Sequence, residues 1–243
     1  MGDKVNLALI GAGNWGKNLA RVFHELGVLR IICDSSEKIL LKKAEEYPEI
    51  TTTNSCIEVL TSPDINTVAI ATPAEQHYFI AKKALLADKH VFVEKPLSIT
   101  AQEGEDLVKT AKQKNKVLFV GHILQYHLAV KTVKKMLQRG ELGKLQYIYS
   151  NRLNLGKIRR EENILWSFAP HDISVILSLV DEEPVEVTAA GTNILHPEIA
   201  DTTVTNMKFP SGVGAHIFVS WLHPFKEQKM VIIGDRKMVV FDD

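Results

Sequence analysis

The stretch Val5-Asn6-Leu7-Ala8-Leu9-Ile10-Gly11-Ala12-Gly13-Asn14-Trp15-Gly16 decides how this chain of 243 residues folds. Val5–Ile10 is an apolar run of strand length and reads as a buried strand. Beyond the glycines, Trp15, Leu19, Val22, Phe23 and Leu26 recur at helical spacing and make one apolar stripe. Strand, glycine turn and helix therefore follow one another without a break. The glycines have the spacing G-x-G-x-x-G, a weak motif alone but a specific one in this context. Gly11 allows the tight turn, Gly13 lets the backbone approach a pyrophosphate, and Gly16 lets helix and strand pack closely. The helix N-terminus near Asn14 and Trp15 then offers free N–H groups and a positive dipole end to phosphates.

The next strand, Leu29–Cys33, ends at Asp34. A carboxylate there accepts hydrogen bonds from a ribose 2′-hydroxyl and repels a 2′-phosphate, which favours NAD over NADP. The same Asp34 also suits the cap of the helix that follows Ser35-Ser36, and Ser35 would tolerate a phosphate. Further strands read at Asn66–Ala71, His90–Val93 and Val117–Val120, separated by helices near Glu37–Glu46, Glu75–Ala87 and Thr100–Lys114. This alternation implies βαβ units and a parallel sheet covered on both faces. Past Gly121 the texture changes. A helix near Leu128–Arg139, a strand Leu145–Arg152 and a helix from about Asp172 to Val180 are followed only by strands: Val185–Ala190, Thr202–Phe209, Val213–Leu222, Lys229–Ile233 and Met238–Phe241. Pro210-Ser211-Gly212 is a hairpin turn. The expected fold is α/β: a Rossmann parallel sheet over residues 1–121, then an α+β domain over 122–243 built on an open, mostly antiparallel sheet, for substrate binding and oligomerisation.

Composition excludes several classes. Hydrophobic residues make up 45%, and 29 Lys+Arg balance 29 Asp+Glu, so there is neither the polarity of a disordered chain nor a field to hold nucleic acid or an anionic membrane. Apolar runs fall short of the roughly 20 residues that span a bilayer. Cys33 and Cys56 form no disulfide framework and no Cys-x-x-Cys pair, so a reducing cytoplasm is expected. The nine histidines show no ligand spacing with cysteines or carboxylates, and a metal site is not expected.

His90-Val91-Phe92-Val93-Glu94-Lys95-Pro96 runs from a buried strand into a Lys-Pro pair. Ligands of open parallel sheets bind beyond the carboxyl ends of the strands, which directs Lys95 toward the cofactor crevice, although a solvated strand-end lysine has the same pattern. A partly desolvated lysine can exchange protons. Gly11-Ala12-Gly13-Asn14-Trp15-Gly16, Thr72-Pro73-Ala74-Glu75-Gln76-His77, Glu94-Lys95-Pro96 and Pro170-His171-Asp172, in this order, resemble the signature set of the glucose–fructose oxidoreductase / inositol dehydrogenase (Gfo/Idh/MocA) family. The stretches Asn151–Gly156 and Leu165–Asp172 resemble most its UDP-N-acetylglucosamine / UDP-N-acetylglucosaminuronate 3-dehydrogenase branch. The resemblance implies an N-terminal Rossmann domain, a C-terminal open sheet with the nicotinamide at their junction, a catalytic Lys95, and a cofactor pocket lined by Thr72, Pro73, His77 and Glu94.

The family pattern usually has an Asp four residues before the histidine. Here that position is Ser167, which fits the sugar-nucleotide branch and its reliance on Lys95 and His171. Oxidising a secondary alcohol needs a hydride acceptor and a base within hydrogen-bond reach of the hydroxyl. His171 has the right ordinary pKa, about 6.5. Arg152, Lys157, Arg159 and Arg160 cluster before it, and arginine forks match the diphosphate of a sugar nucleotide, although Glu161 and Glu162 offset much of this charge. Asn151 and Asn154 could reach sugar hydroxyls or shape turns, and Asp172 joins the substrate-binding set.

The expected activity is NAD-dependent oxidation of a secondary hydroxyl, at C3, of a UDP-N-acetylhexosamine or its uronic acid, in polysaccharide biosynthesis. A dehydrogenase of a free sugar or polyol, and a catalytically silent NAD-binding regulator, are the alternatives. Val213, Ala215, Ile217, Val219 and Trp221 form one apolar strand face, and the partly apolar opposite face suggests a subunit contact in a homo-oligomer, dimer or tetramer. The chain stops at Phe241-Asp242-Asp243, just past a strand, where relatives usually continue. The expectation is a natural short form or a truncated chain, and in the second case an incomplete second sheet.

Overall fold

The computed structural model describes residues 4–155, 158 and 162–242. Contacts divide the chain into two compact units, Met1–Gly121 and His122–Asp243.

The first unit holds strands β1 (Leu7–Ile10), β2 (Leu29–Cys33), β3 (Thr51–Thr53), β4 (Thr67–Ile70), β5 (His90–Val93) and β6 (Leu118–Val120). Its helices are α1 (Gly16–Glu25), α2 (Glu37–Glu46), α3 (Cys56–Thr61), α4 (Ala74–Leu86) and α5 (Ala101–Gln113). The strands are all parallel, in the order β3-β2-β1-β4-β5-β6. This is the doubly wound order of dinucleotide-binding sheets, with its switch point between β1 and β4. Alternate side chains of β1 enter different cores. Leu7 and Leu9 pack with Ala20, Leu29 and Ile32, whereas Ala8 and Ile10 pack with Ile70, Val91, Val93 and Leu85. Both faces are covered, so the strands read as continuous apolar runs rather than as alternating ones.

Two elements escaped the sequence pattern. Strand β3 is only three threonines long, and α3 has six residues. Neither is long enough to show a period. Helix α3 is fixed instead by Ser55, whose hydroxyl accepts the Glu58 N–H.

The second unit begins with a 3-10 turn, Ile123–Tyr126, and continues through α6 (Leu128–Gln138), β7 (Leu145–Leu153), α7 (Ile164–Val180), β8 (Glu186–Thr192), β9 (Thr202–Lys208), β10 (Gly214–Ser220), β11 (Glu227–Gly234) and β12 (Met238–Asp242). Its sheet has the order β12-β11-β7-β10-β9-β8. Only the β7–β10 pair is parallel. Ala215, Ile217, Val219 and Trp221 are buried against Val175, Ile176 and Leu179 of α7. Burying Ile217 or Val219 contributes about 1.5–3 kcal/mol each. On the opposite face of β10, His216 pairs through Nδ1 with the Tyr147 hydroxyl at 2.9 Å and stacks on Tyr149.

Helix α7 corrects the sequence expectation. It starts at Ile164, capped by the Asn163 side chain on the Trp166 N–H, and carries Pro170 inside it. Proline has no N–H to donate and usually marks a helix start. Here Ile164, Ala169, Val175, Ile176 and Leu179 are buried on both sides of it, and that packing offsets the missing bond. His171 and Asp172 are therefore mid-helix residues rather than N-terminal ones.

Asp201, fully buried, is the polar centre of the second unit. Its carboxylate accepts the Trp221 indole N–H at 2.6 Å and the Ile194 and Leu195 N–H groups at 2.7 Å. Burial alone would raise this carboxyl, but the backbone donors and the indole outweigh it and hold it below the usual carboxylate range. The resulting stability is complete above the unfolded-chain value, near about pH 4, and disappears as pH falls through the lower folded value. Asp201→Ala leaves three donors without their acceptor and is expected to cost about 3 kcal/mol or more. Urea unfolding at neutral pH should show that loss, and the gap to wild type should narrow in acid.

Candidate active site

The turns that carry the sequence motifs lie beyond the carboxyl ends of neighbouring strands in the first unit. Gly11–Gly16 follows β1, Asp34 follows β2, Thr72-Pro73 follows β4 and Glu94-Lys95 follows β5. Gly11 adopts φ +89°, and its N–H donates to the Cys33 carbonyl at 2.8 Å. A Cβ on Gly16 would lie 2.0 Å from the Gly11 carbonyl oxygen, whereas a Cβ on Gly13 would meet nothing within 4 Å. Gly16 is thus required by the fold, and Gly13 leaves open space over the turn.

The Asp34 carboxylate accepts the Ala12 N–H at 2.8 Å and the Ser36 N–H at 2.9 Å. It therefore braces the glycine turn and the start of α2 together. A carboxylate has about four lone-pair sites, so acceptor capacity remains for a ribose hydroxyl. Ser35 beside it is exposed. Trp15, 44% exposed, donates its indole N–H to Glu94 Oε1 at 2.7 Å, which ties the turn after β1 to the end of β5. Burial pushes the Glu94 carboxyl up from its ordinary value, against the pull of Trp15 and of Lys95. Gly121 closes in on this group: a Cβ there would meet the Glu94 carboxyl at 3.0 Å.

His77, expected to line the cofactor pocket, is 2% exposed. Its Nδ1 meets the Pro96 carbonyl at 2.6 Å and its Nε2 the Thr72 carbonyl at 2.9 Å. It shapes the pocket indirectly, by bracing the two loops that carry Thr72 and Lys95. Thr72 Oγ1 is buried with no hydrogen-bond partner among the described residues, and Pro73 is exposed beside it. A buried hydroxyl in want of a partner, an open Gly13 and a helix N-terminus fit a dinucleotide. Asn14 is exposed on the same turn. Lys95, partly exposed, precedes Pro96 through a cis peptide.

In the second unit, β7 and α7 are joined by a buried ion pair. Arg152 Nε donates to Asp172 Oδ2 at 2.7 Å and Nη2 to Oδ1 at 3.3 Å, while the Ser150 hydroxyl donates to Oδ1 at 2.7 Å. Asp172 is 2% exposed. Its carboxylate is thus spent on holding α7 to the sheet beside His171. Arg152 and Asp172, both expected to bind substrate, are thus bonded to each other, Arg152 through Nε and Nη2. Asn151 donates to Glu227 at 2.8 Å, and Asn154 is partly exposed at the end of β7. His171 is partly exposed, and Ser167, four residues before it, is buried. Lys157, Arg159 and Arg160 lie outside the described residues. The Trp15–Glu94 bond and the Ser150–Asp172–Arg152 cluster were missed in the sequence, because partners 79 and 20–22 positions apart leave no local spacing.

Strand order, glycine turn and bracing acid define a dinucleotide-binding Rossmann domain. Residues 5–122 match the family described as "Oxidoreductase family, NAD-binding Rossmann fold", and residues 130–240 match "GFO/IDH/MocA C-terminal domain". The chain belongs to the Gfo/Idh/MocA family. It is 27% identical over 255 residues to the 2,7-anhydro-N-acetylneuraminate hydratase of Mediterraneibacter gnavus, covering 98% of this chain and 67% of that protein. It is 26% identical over 218 residues to the UDP-N-acetylglucosamine 3-dehydrogenase of Acidithiobacillus ferrooxidans, covering 87% and 66%. The chain thus spans about two-thirds of these relatives' length. Its fold is that of the WlbA dehydrogenase from Bordetella pertussis, solved with NADH and UDP-GlcNAcA, at TM-score 0.89 and 21% identity over 99% of this chain and 80% of that one.

The glycines give a paired expectation. Gly13→Ala should keep the wild-type thermal midpoint but lose about tenfold or more in NADH affinity, because the methyl occupies the space of a close-lying pyrophosphate. Gly16→Ala should lose about 2 kcal/mol or more of stability, because its clash is with backbone. Thermal unfolding and NADH titration of both variants separate the two roles.

Proposed function

We propose that this NAD-binding oxidoreductase oxidises a secondary hydroxyl, at C3, of a UDP-N-acetylhexosamine or its uronic acid to a ketone. The relative that acts as a UDP-N-acetylglucosamine 3-dehydrogenase carries the substrate reading, and Lys95 and His171 carry the chemical one. The bound nicotinamide supplies the hydride acceptor. His171 takes the hydroxyl proton, and Lys95 donates to the oxygen as negative charge develops on it. Asp172, held by Arg152 and Ser150, fixes the rotation of α7 and so the direction of His171. Asp34 selects NAD over NADP. Asn154 and the basic residues Lys157, Arg159 and Arg160 meet the sugar nucleotide, with the cations on its diphosphate.

The protein works in the cytoplasm in polysaccharide biosynthesis, as a homo-oligomer, dimer or tetramer. No helix of the described residues is long and apolar enough to cross a membrane.

The test is NADH formation from NAD with a panel of UDP-sugars, inositol and glucose, alongside thermal shifts with the same ligands. UDP-N-acetylglucosamine or its uronate should be turned over and should raise the thermal midpoint. Lys95→Ala and His171→Ala should each lower kcat by about a hundredfold or more with NADH affinity retained. Turnover of inositol or glucose alone, or wild-type rates in both variants, would reject the reading.

A further inference from the structure

Cys33 and Cys56 lie far apart in sequence, yet their sulfurs are 3.7 Å apart and hydrogen-bonded. Cys33 is the last residue of β2, 1% exposed in the core. Cys56 opens α3 and is partly exposed. Both are free thiols. Cys33 also occupies a sensitive point of the cofactor turn. Its carbonyl accepts the Gly11 N–H at 2.8 Å, and the next residue is Asp34, which braces Ala12 and Ser36.

We propose that Cys33 and Cys56 are a modification site: a peroxide converts the pair to a disulfide, which deforms the cofactor turn and weakens NAD(H) binding. Bonded sulfurs stand about 2.05 Å apart, so the two must approach from their present 3.7 Å. Cys33 is the last residue of β2 and packed in the core, so the closure pulls on the strand end where its carbonyl holds Gly11 and Asp34 follows. The hydrogen bond from Cys33 draws the Cys56 thiol below its ordinary range, against the effect of burial and with help from Lys83. The same contact and burial push Cys33 up. The more exposed sulfur is thus the nucleophile, and the buried one the resolving thiol.

The steps balance. The Cys56 thiolate attacks one peroxide oxygen, the O–O bond breaks, and with one proton taken up a sulfenic acid and water result. The Cys33 sulfur then attacks the Cys56 sulfur, the S–O bond breaks, and the departing hydroxide leaves as water with the Cys33 proton. Two thiols and one hydrogen peroxide give one disulfide and two waters. In a reducing compartment the pair rests as thiols, and a dithiol reverses the oxidation.

The proposal uses the cofactor assignment for its consequence but not for the bond itself, so two readouts are needed. Protein treated with hydrogen peroxide should yield a linked Cys33–Cys56 peptide by mass spectrometry, lost on adding dithiothreitol. NADH titration should show affinity about tenfold weaker in the oxidised protein, restored by dithiothreitol. Cys56→Ser and Cys56→Ala should bind NADH as reduced wild type does, before and after peroxide. Only sulfinic or sulfonic acid at Cys56, a linked peptide with unchanged affinity, or an equal loss in the Cys56 variants would overturn it. A reduced protein that fails to bind NADH would overturn the cofactor assignment and this consequence with it, while the peptide still reports the disulfide.

Discussion

The close approach of Gly16 to Gly11 governs the first unit. With a Cβ 2.0 Å from a carbonyl oxygen, any other residue would push α1 away from β1. The helix N-terminus would then no longer face the space above Gly13, and its free N–H groups and dipole would be misdirected. The neighbouring turns are arranged around that contact. Asp34 braces it from β2, Cys33 through its carbonyl, and Glu94 through Trp15 from β5. The site is a set of loop ends held to one another, so a disturbance at any of them reaches the rest.

The second unit is organised by buried charge. Asp201 gathers a loop and the end of β10 onto one carboxylate, and Asp172 locks α7 to β7 through Arg152 and Ser150. Buried ions of this kind are weak sources of net stability, but removing one partner is costly because the other is left uncompensated. Their value here is geometric. A helix that carries a proline in its interior has less backbone bonding to fix it, and the Arg152–Asp172 pair sets its position beside the histidine proposed as base.

Much of this was legible in the sequence. The glycine turn, the acid at the end of β2 and the alternation of short apolar runs with helical stripes give the parallel sheet of the first unit. The run of strands after Val180 gives the mostly antiparallel second sheet. Helix α7 was misjudged because Pro170 is locally a starting signal, and only burial on both sides of it carries the helix through. Strand β3 escaped because three threonines have no period. Lys95 and His171 were picked out by motif, but the partners that set their surroundings were not.

The sequence by itself determined where the chain must turn, which stretches must be buried on both faces, and which cofactor class the first unit binds. These are short-range matters: glycine's missing Cβ, proline's missing N–H and the period of apolar residues act within a few positions. Only the tertiary structure decided that Trp15 meets Glu94, that Arg152 is engaged by Asp172, that His77 braces two loops, and that Cys33 touches Cys56. Those pairings join strands and helices distant in the chain. They depend on sheet order and on which face each strand presents, and neither is written in local spacing.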